Sequence, residues 1–142
     1  MRVSQIMTRG VLTVPPGLPA WEAWELMRRR GIRHLVVTDQ GRMVGVLSDA
    51  DAGGRSGAAV RAGTTVGHLM TPHVTGAAPV ERVESAARLM CAHKLGCLPI
   101  VDRGRLVGIV TLGDLLGGLA RETASMKPRQ TPRTPRRAAP VR

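Results

Sequence analysis

The chain has 142 residues, enough for one compact domain or two small repeated ones and too few for a large multidomain enzyme. With 43% apolar and 22% charged residues it can bury a core, which excludes wholesale disorder. The net charge of +11 is uneven, +6 of it falling on residues 121–142, and the only aromatic residues are Trp21 and Trp24, too few for a base-stacking platform.

In chain order, VLTV (11–14) reads as a short extended piece running into a proline-marked turn. A helix follows over about 20–30, with Ala20, Ala23, Leu26 and Met27 on one face; Trp24 extends that face and Trp21 falls at its edge. HLVVTD (34–39) and MVGVL (43–47) read as strands joined by a turn at Gly41, and a short helix is expected to open at Ser48. The small, Gly-rich stretch 53–64 reads as a partly flexible linker. The series then recurs: an extended piece HVTG (73–76), a helix over about 82–93, strands CLPIVD (97–102) and LVGIV (106–110), and a helix opening at Thr111. Residues 121–142, rich in Arg and Pro, are expected to be a disordered basic tail.

The recurrence is a true internal repeat. At an offset of 63, residues 3–51 align without a gap on 66–114, and fifteen of the 49 positions are identical. These include Met7 and Met70, Thr8 and Thr71, Leu35 and Leu98, and Asp39 and Asp102; GRMVGVLSDAD (41–51) is answered by GRLVGIVTLGD (104–114). Two copies are too few for a solenoid. The fold class predicted is mixed α/β of the α+β kind: β-α-β-β-α twice, residues 1–52 and 65–120, packed as a pseudo-two-fold pair.

Ser48-x-x-Asp51 and Thr111-x-x-Asp114 each follow a strand, placing a hydroxyl and a carboxylate three residues apart. One reading is a capping box, worth about 0.5–2 kcal/mol per cap. The other is a ligand site in which hydroxyl and helix N-terminus meet a phosphate while the carboxylate accepts from ribose hydroxyls.

The doubled unit, with IRHLVVTDQGRMVGVLSDAD and KLGCLPIVDRGRLVGIVTLGD, resembles a tandem pair of CBS domains, a Bateman module, over about residues 1–119. In the absence of a flanking catalytic or transport segment it is similar to stand-alone bacterial CBS-pair proteins. The resemblance implies a non-enzymatic regulatory module. Such modules bind AMP, ADP, ATP or S-adenosylmethionine in clefts between the repeats, hold no tight cofactor and commonly form homodimers. It also implies site residues. Ser48 and Thr111 match the family's phosphate contacts, and Asp51 and Asp114 its ribose contacts. The base-facing positions fall on Thr13, Val14, Arg33, His34 and Val36 in the first copy, and on Ala77, Gly96, Cys97 and Pro99 in the second. Two positions depart from the family pattern: Val36 replaces the usual proline, and VTGAAPV (74–80) lacks a second Thr-Val. The second copy, with Asp114 in VGIVTLGD, has the fuller phosphate and ribose half, and the first copy the fuller base-facing half.

No carboxylate pair or nucleophile–base set suggests catalysis, and Cys91, His93 and Cys97 lack zinc spacing. Two cysteines make no disulfide framework, the opening MRVSQIMTRG lacks a signal-peptide core, and nowhere do 18 apolar residues run together, so a soluble, cytoplasmic chain with no membrane contact is expected. The second function class considered is weak nucleic-acid binding by the basic tail, with the repeats as a scaffold. The output protein of a sensor is not encoded in these residues.

Overall fold

The computed structural model describes residues 1–72 and 75–125. The first copy contributes β1 (Thr13–Val14), α1 (Ala20–Arg30), β2 (His34–Asp39) and β3 (Arg42–Ser48). Two short helices follow, α2 (Ala58–Arg61) and α3 (Val66–Leu69), and then β4 (Thr71–Pro72). The second copy adds α4 (Val83–His93), β5 (Cys97–Asp102), β6 (Arg105–Thr111) and α5 (Leu112–Ser125).

Both long strand pairs are antiparallel hairpins whose turns need left-handed backbone at two successive positions. Gln40 and Gly41 supply φ of 50° and 77°, and Arg103 and Gly104 supply 51° and 77°, the conformation of a two-residue primed turn. Each hairpin carries one register shift, at Val37/Thr38 and at Ile100/Val101. Helix α1 ends where Gly31 turns left-handed and returns its N–H to the carbonyls of Met27 and Arg28. Lys94 does the same for α4 at φ 53°, a conformation that strains a residue with a Cβ.

The copies exchange their leading segments. β4 pairs with β3, Thr71 opposite Val46, and in the equivalent place Thr8 bridges Ile109 of β6. The N–H groups of Val3 and Ser4 donate to Glu81 and Pro79, while those of Val66 and Gly67 donate to Leu18 and Pro16. Each of these contacts maps onto its counterpart by the offset of 63, which is the expected pseudo-two-fold. The strands crossed this way carry glycine because the approach is close. A Cβ on Gly45 would lie 2.7 Å from Met70 Sδ, and one on Gly108 would lie 2.7 Å from Met7 Sδ.

Three apolar clusters result. Val14, Ala23, Met27, Leu35, Val37, Leu47 and Ala52 enclose Val66 from the second copy. Ala77, Ala86, Met90, Leu98, Ile100 and Val110 enclose Val3 and Ile6 from the first. Val36, Val46, Cys97 and Ile109 join the two sheets between them. At about 1.5–3 kcal/mol per fully buried aliphatic side chain, the exchanged residues are a substantial share of each core.

Three local expectations need correction. No helix opens at Ser48; residues 49–53 are turns. Gly53 and Gly54 take φ of 89° and 62°, outside the helical region, and no aliphatic residue between Ala52 and Ala58 gives a helix there an apolar face. The stretch 53–64 is not a plain linker, since it contains α2 and the buried Arg61. Arg61 donates to the carbonyls of Ala52 (2.8 Å) and Gly54 (2.6 Å) and lies 4.3 Å from the Trp24 ring centre. Finally, α5 runs through residues 121–125 of the expected tail; the rest of that tail, like His73 and Val74, lies outside the described residues. Among the described residues no helix is long and apolar enough to cross a membrane. Leu112, Leu116 and Leu119 form an exposed stripe on α5, and Trp21 is half exposed.

Candidate ligand clefts between the copies

Two clefts open where the copies meet, and each is built from both. The larger, about 830 Å³, takes Thr8, Gly10, Val11 and Leu12 from the leading segment and Arg30–His34 from the α1–β2 turn. Its opposite wall is Thr111, Leu112, Gly113 and Leu116, where β6 gives way to α5. The smaller, about 330 Å³, repeats the plan with roles reversed: Ser48, Asp49, Ala50 and Asp51 face His93–Cys97, with Thr71 and Val46 between. His34, Asp49 and Gly96 line both clefts and form their common wall. A Cβ on Gly96 would lie 3.0 Å from His34 Nε2, so glycine there lets the two sides of the wall approach closely.

Both hydroxyl–carboxylate motifs close as reciprocal boxes. Ser48 N–H donates to Asp51 Oδ2 (3.0 Å) and Asp51 N–H to Ser48 Oγ (2.9 Å). Thr111 N–H donates to Asp114 Oδ2 (2.9 Å) and Asp114 N–H to Thr111 Oγ1 (3.2 Å). Only the second box starts a helix. The carboxylates then diverge. Thr8 Oγ1 donates to both oxygens of Asp114 at 3.2 Å, which draws that carboxylate away from the lining of the large cleft. Asp51 lines the small one.

Burial sets the electrostatics of the common wall. Desolvation lowers the His34 pKa from 6.5, opposed by Asp49 and Asp51 and helped slightly by Arg33, so a neutral ring is favoured. Burial, with a smaller push from Asp51, raises the Cys97 thiol to about 12, so it is an apolar wall rather than a nucleophile. Cys91 is exposed on α4. Among the described residues no group of three or more His, Cys, Asp or Glu side chains is arranged to hold a metal.

Of the residues picked out from the sequence, the clefts gather Arg33, His34, Ser48, Asp51, Gly96, Cys97 and Thr111. Val14, Val36, Ala77 and Pro99 are core residues, Thr13 is exposed on β1, and Asp114 stands behind Thr8. Arg33 and His34 of the first copy face Thr111 of the second across the large cleft. Thr8, Thr71, Arg30, Asp49 and Lys94 were missed. The identity of Thr8 and Thr71 across the repeat is the signal that would have found that pair.

The family model of the CBS domain matches residues 3–52 and again residues 66–121. The chain belongs to the CBS domain family. The pair is 40% identical over 114 residues to the CBS domain-containing protein YhcV of Bacillus subtilis, covering 80% of this chain and 81% of that one. It is also 32% identical over 115 residues to homoserine O-acetyltransferase of Methanococcoides burtonii, of whose length the match spans only 23%. Among solved structures, CBSX2 in complex with AMP aligns at a TM-score of 0.72 and 30% identity, over 86% of this chain and 98% of that one. CBSX2 comes from Arabidopsis thaliana. The CBS domain pair of protein MJ0100, in complex with 5'-methylthioadenosine and S-adenosylmethionine, aligns at 0.77 and 27% over 86% and 98%.

Proposed function

We propose that this CBS pair is a non-catalytic regulatory module that binds an adenosine-containing ligand between its two copies. The observation that carries the reading is the large cleft, about 830 Å³, in which the α1–β2 turn of one copy faces Thr111 and the start of α5 of the other. Its volume suits a nucleotide-sized molecule. The AMP complex and the S-adenosylmethionine complex of similar CBS pairs support the ligand class. A ligand seated across the joint acts by preferring one arrangement of the two copies over another, because only a difference in affinity between arrangements does work.

Thermal unfolding followed by tryptophan fluorescence tests this, with AMP, ADP, ATP, S-adenosylmethionine or GTP in excess. A ligand at about 100 times its dissociation constant adds about 2.7 kcal/mol. An upward shift with an adenine ligand and none with GTP is expected. No shift with any of the four adenine compounds refutes the proposal.

A further inference from the structure

The two clefts differ in charge as well as volume, and equivalent positions account for the difference. Arg30 and Arg33 line the large cleft; their counterparts at the offset of 63 are His93 and Gly96. Asp51 lines the small cleft, whereas its counterpart Asp114 accepts from Thr8 Oγ1 and stands behind that residue at the large one. Leu112 of the large cleft corresponds to Asp49, a carboxylate on the shared wall. The fixed charges are therefore two guanidiniums against Asp49 in the lining of the large cleft, with Asp114 behind Thr8, and Lys94 against Asp49 and Asp51 in the small one, which leaves the small cleft the more negative.

We infer that the large cleft takes the phosphorylated form of the adenosine ligand, that the small cleft rejects it, and that Arg33 is the residue that discriminates. The inference rests on the ligand class proposed above and adds which cleft is occupied and by what charge. A guanidinium meets phosphate oxygens through paired, charge-assisted hydrogen bonds. Leu112 and Gly113, at the start of the fourteen-residue α5, line the same cleft, so the positive end of the helix dipole adds to the potential there. In the small cleft a phosphate meets two carboxylates at close range, which costs free energy in the partly desolvated joint. Arg30 and Arg33 are exposed, so their attraction is screened by salt.

Titration calorimetry with AMP and with adenosine, on the full chain, tests the assignment. AMP is expected to bind one equivalent per chain, with an affinity that falls as salt rises while that of adenosine does not. Arg33→Gly, which installs the second copy's residue at an exposed position, should lower the ratio of AMP to adenosine affinity about tenfold. Arg30→Ala should move the ratio the same way. Arg29→Ala, which removes a charge outside both clefts, should leave it in place, and unliganded melting temperatures verify that the variants fold. Two AMP equivalents of similar affinity, or an unchanged ratio in Arg33→Gly, overturn the charge assignment and leave the adenosine reading standing. Binding of neither compound overturns that reading and this inference with it.

Discussion

His34 borders both clefts, as Asp49 does, and its surroundings make it sensitive to pH. Because desolvation depresses its folded-state pKa, the unfolded chain binds its proton more tightly than the native protein does. The sign follows. Stability from the neutral ring is complete above the unfolded value of 6.5 and is lost as the pH falls from there through the lowered folded value. Asp49 and Asp51, which favour the charged ring, moderate the loss, and Arg33 adds to it. Replacing His34 by Gln removes this linkage, so the drop in melting temperature between about pH 7.5 and about pH 5 should be smaller in H34Q than in the native chain. An equal drop would show that His34 does not titrate across folding. Cys97 lines the small cleft alone; its alignment with His34 is legible in the repeat, but its burial is not, because that depends on the opposing sheet.

The stretch between the copies shows where reading a sequence by element succeeds and where it stops. The hairpins at 34–48 and 97–111 follow from alternating turn chemistry and apolar runs, and α1 and α4 from one buried face, because those signals are local. Residues 53–64 carry no such signal, and their glycines read as slack. Their order comes from one long side chain, Arg61, which reaches back to two carbonyls and lies against Trp24 of α1. A buried cation with no carboxylate partner among the described residues is tolerated there because backbone dipoles and an aromatic face receive it. Arg61→Met keeps much of the volume and removes both hydrogen bonds, so it should cost about 1–3 kcal/mol, read from the urea midpoint at constant slope. Less than about 0.5 kcal/mol would mean that Arg61 does not hold this segment. The clefts were legible only in part for the same reason. Ser48 and Thr111 announce themselves by motif and Arg33 by the family resemblance, but the capture of Asp114 by Thr8 joins residues far apart in sequence.

At the scale of the whole molecule, the exchange of leading segments makes the two copies one cooperative unit. Ile6 precedes the first copy's strands yet is buried among Leu98, Ile100 and Val110 of the second. Ile6→Ala should cost about 2–5 kcal/mol, as an aliphatic truncation in a packed core does. Both tryptophans lie in the first copy, so their fluorescence should report the same lowered midpoint as far-UV circular dichroism. A biphasic transition, with the tryptophans unfolding at the native midpoint, would show that the copies unfold independently. The exchange also bears on ancestry. A peptide carrying one copy alone has nothing to complete its core except a second molecule, so it folds only as an associating pair and only above some concentration. Joining two copies in one chain turns that encounter into an intramolecular one, at an effective concentration on the order of millimolar. Symmetry is then no longer enforced by identity of sequence. Arginine at 33 and glycine at 96 are the kind of divergence that only a fused partner permits.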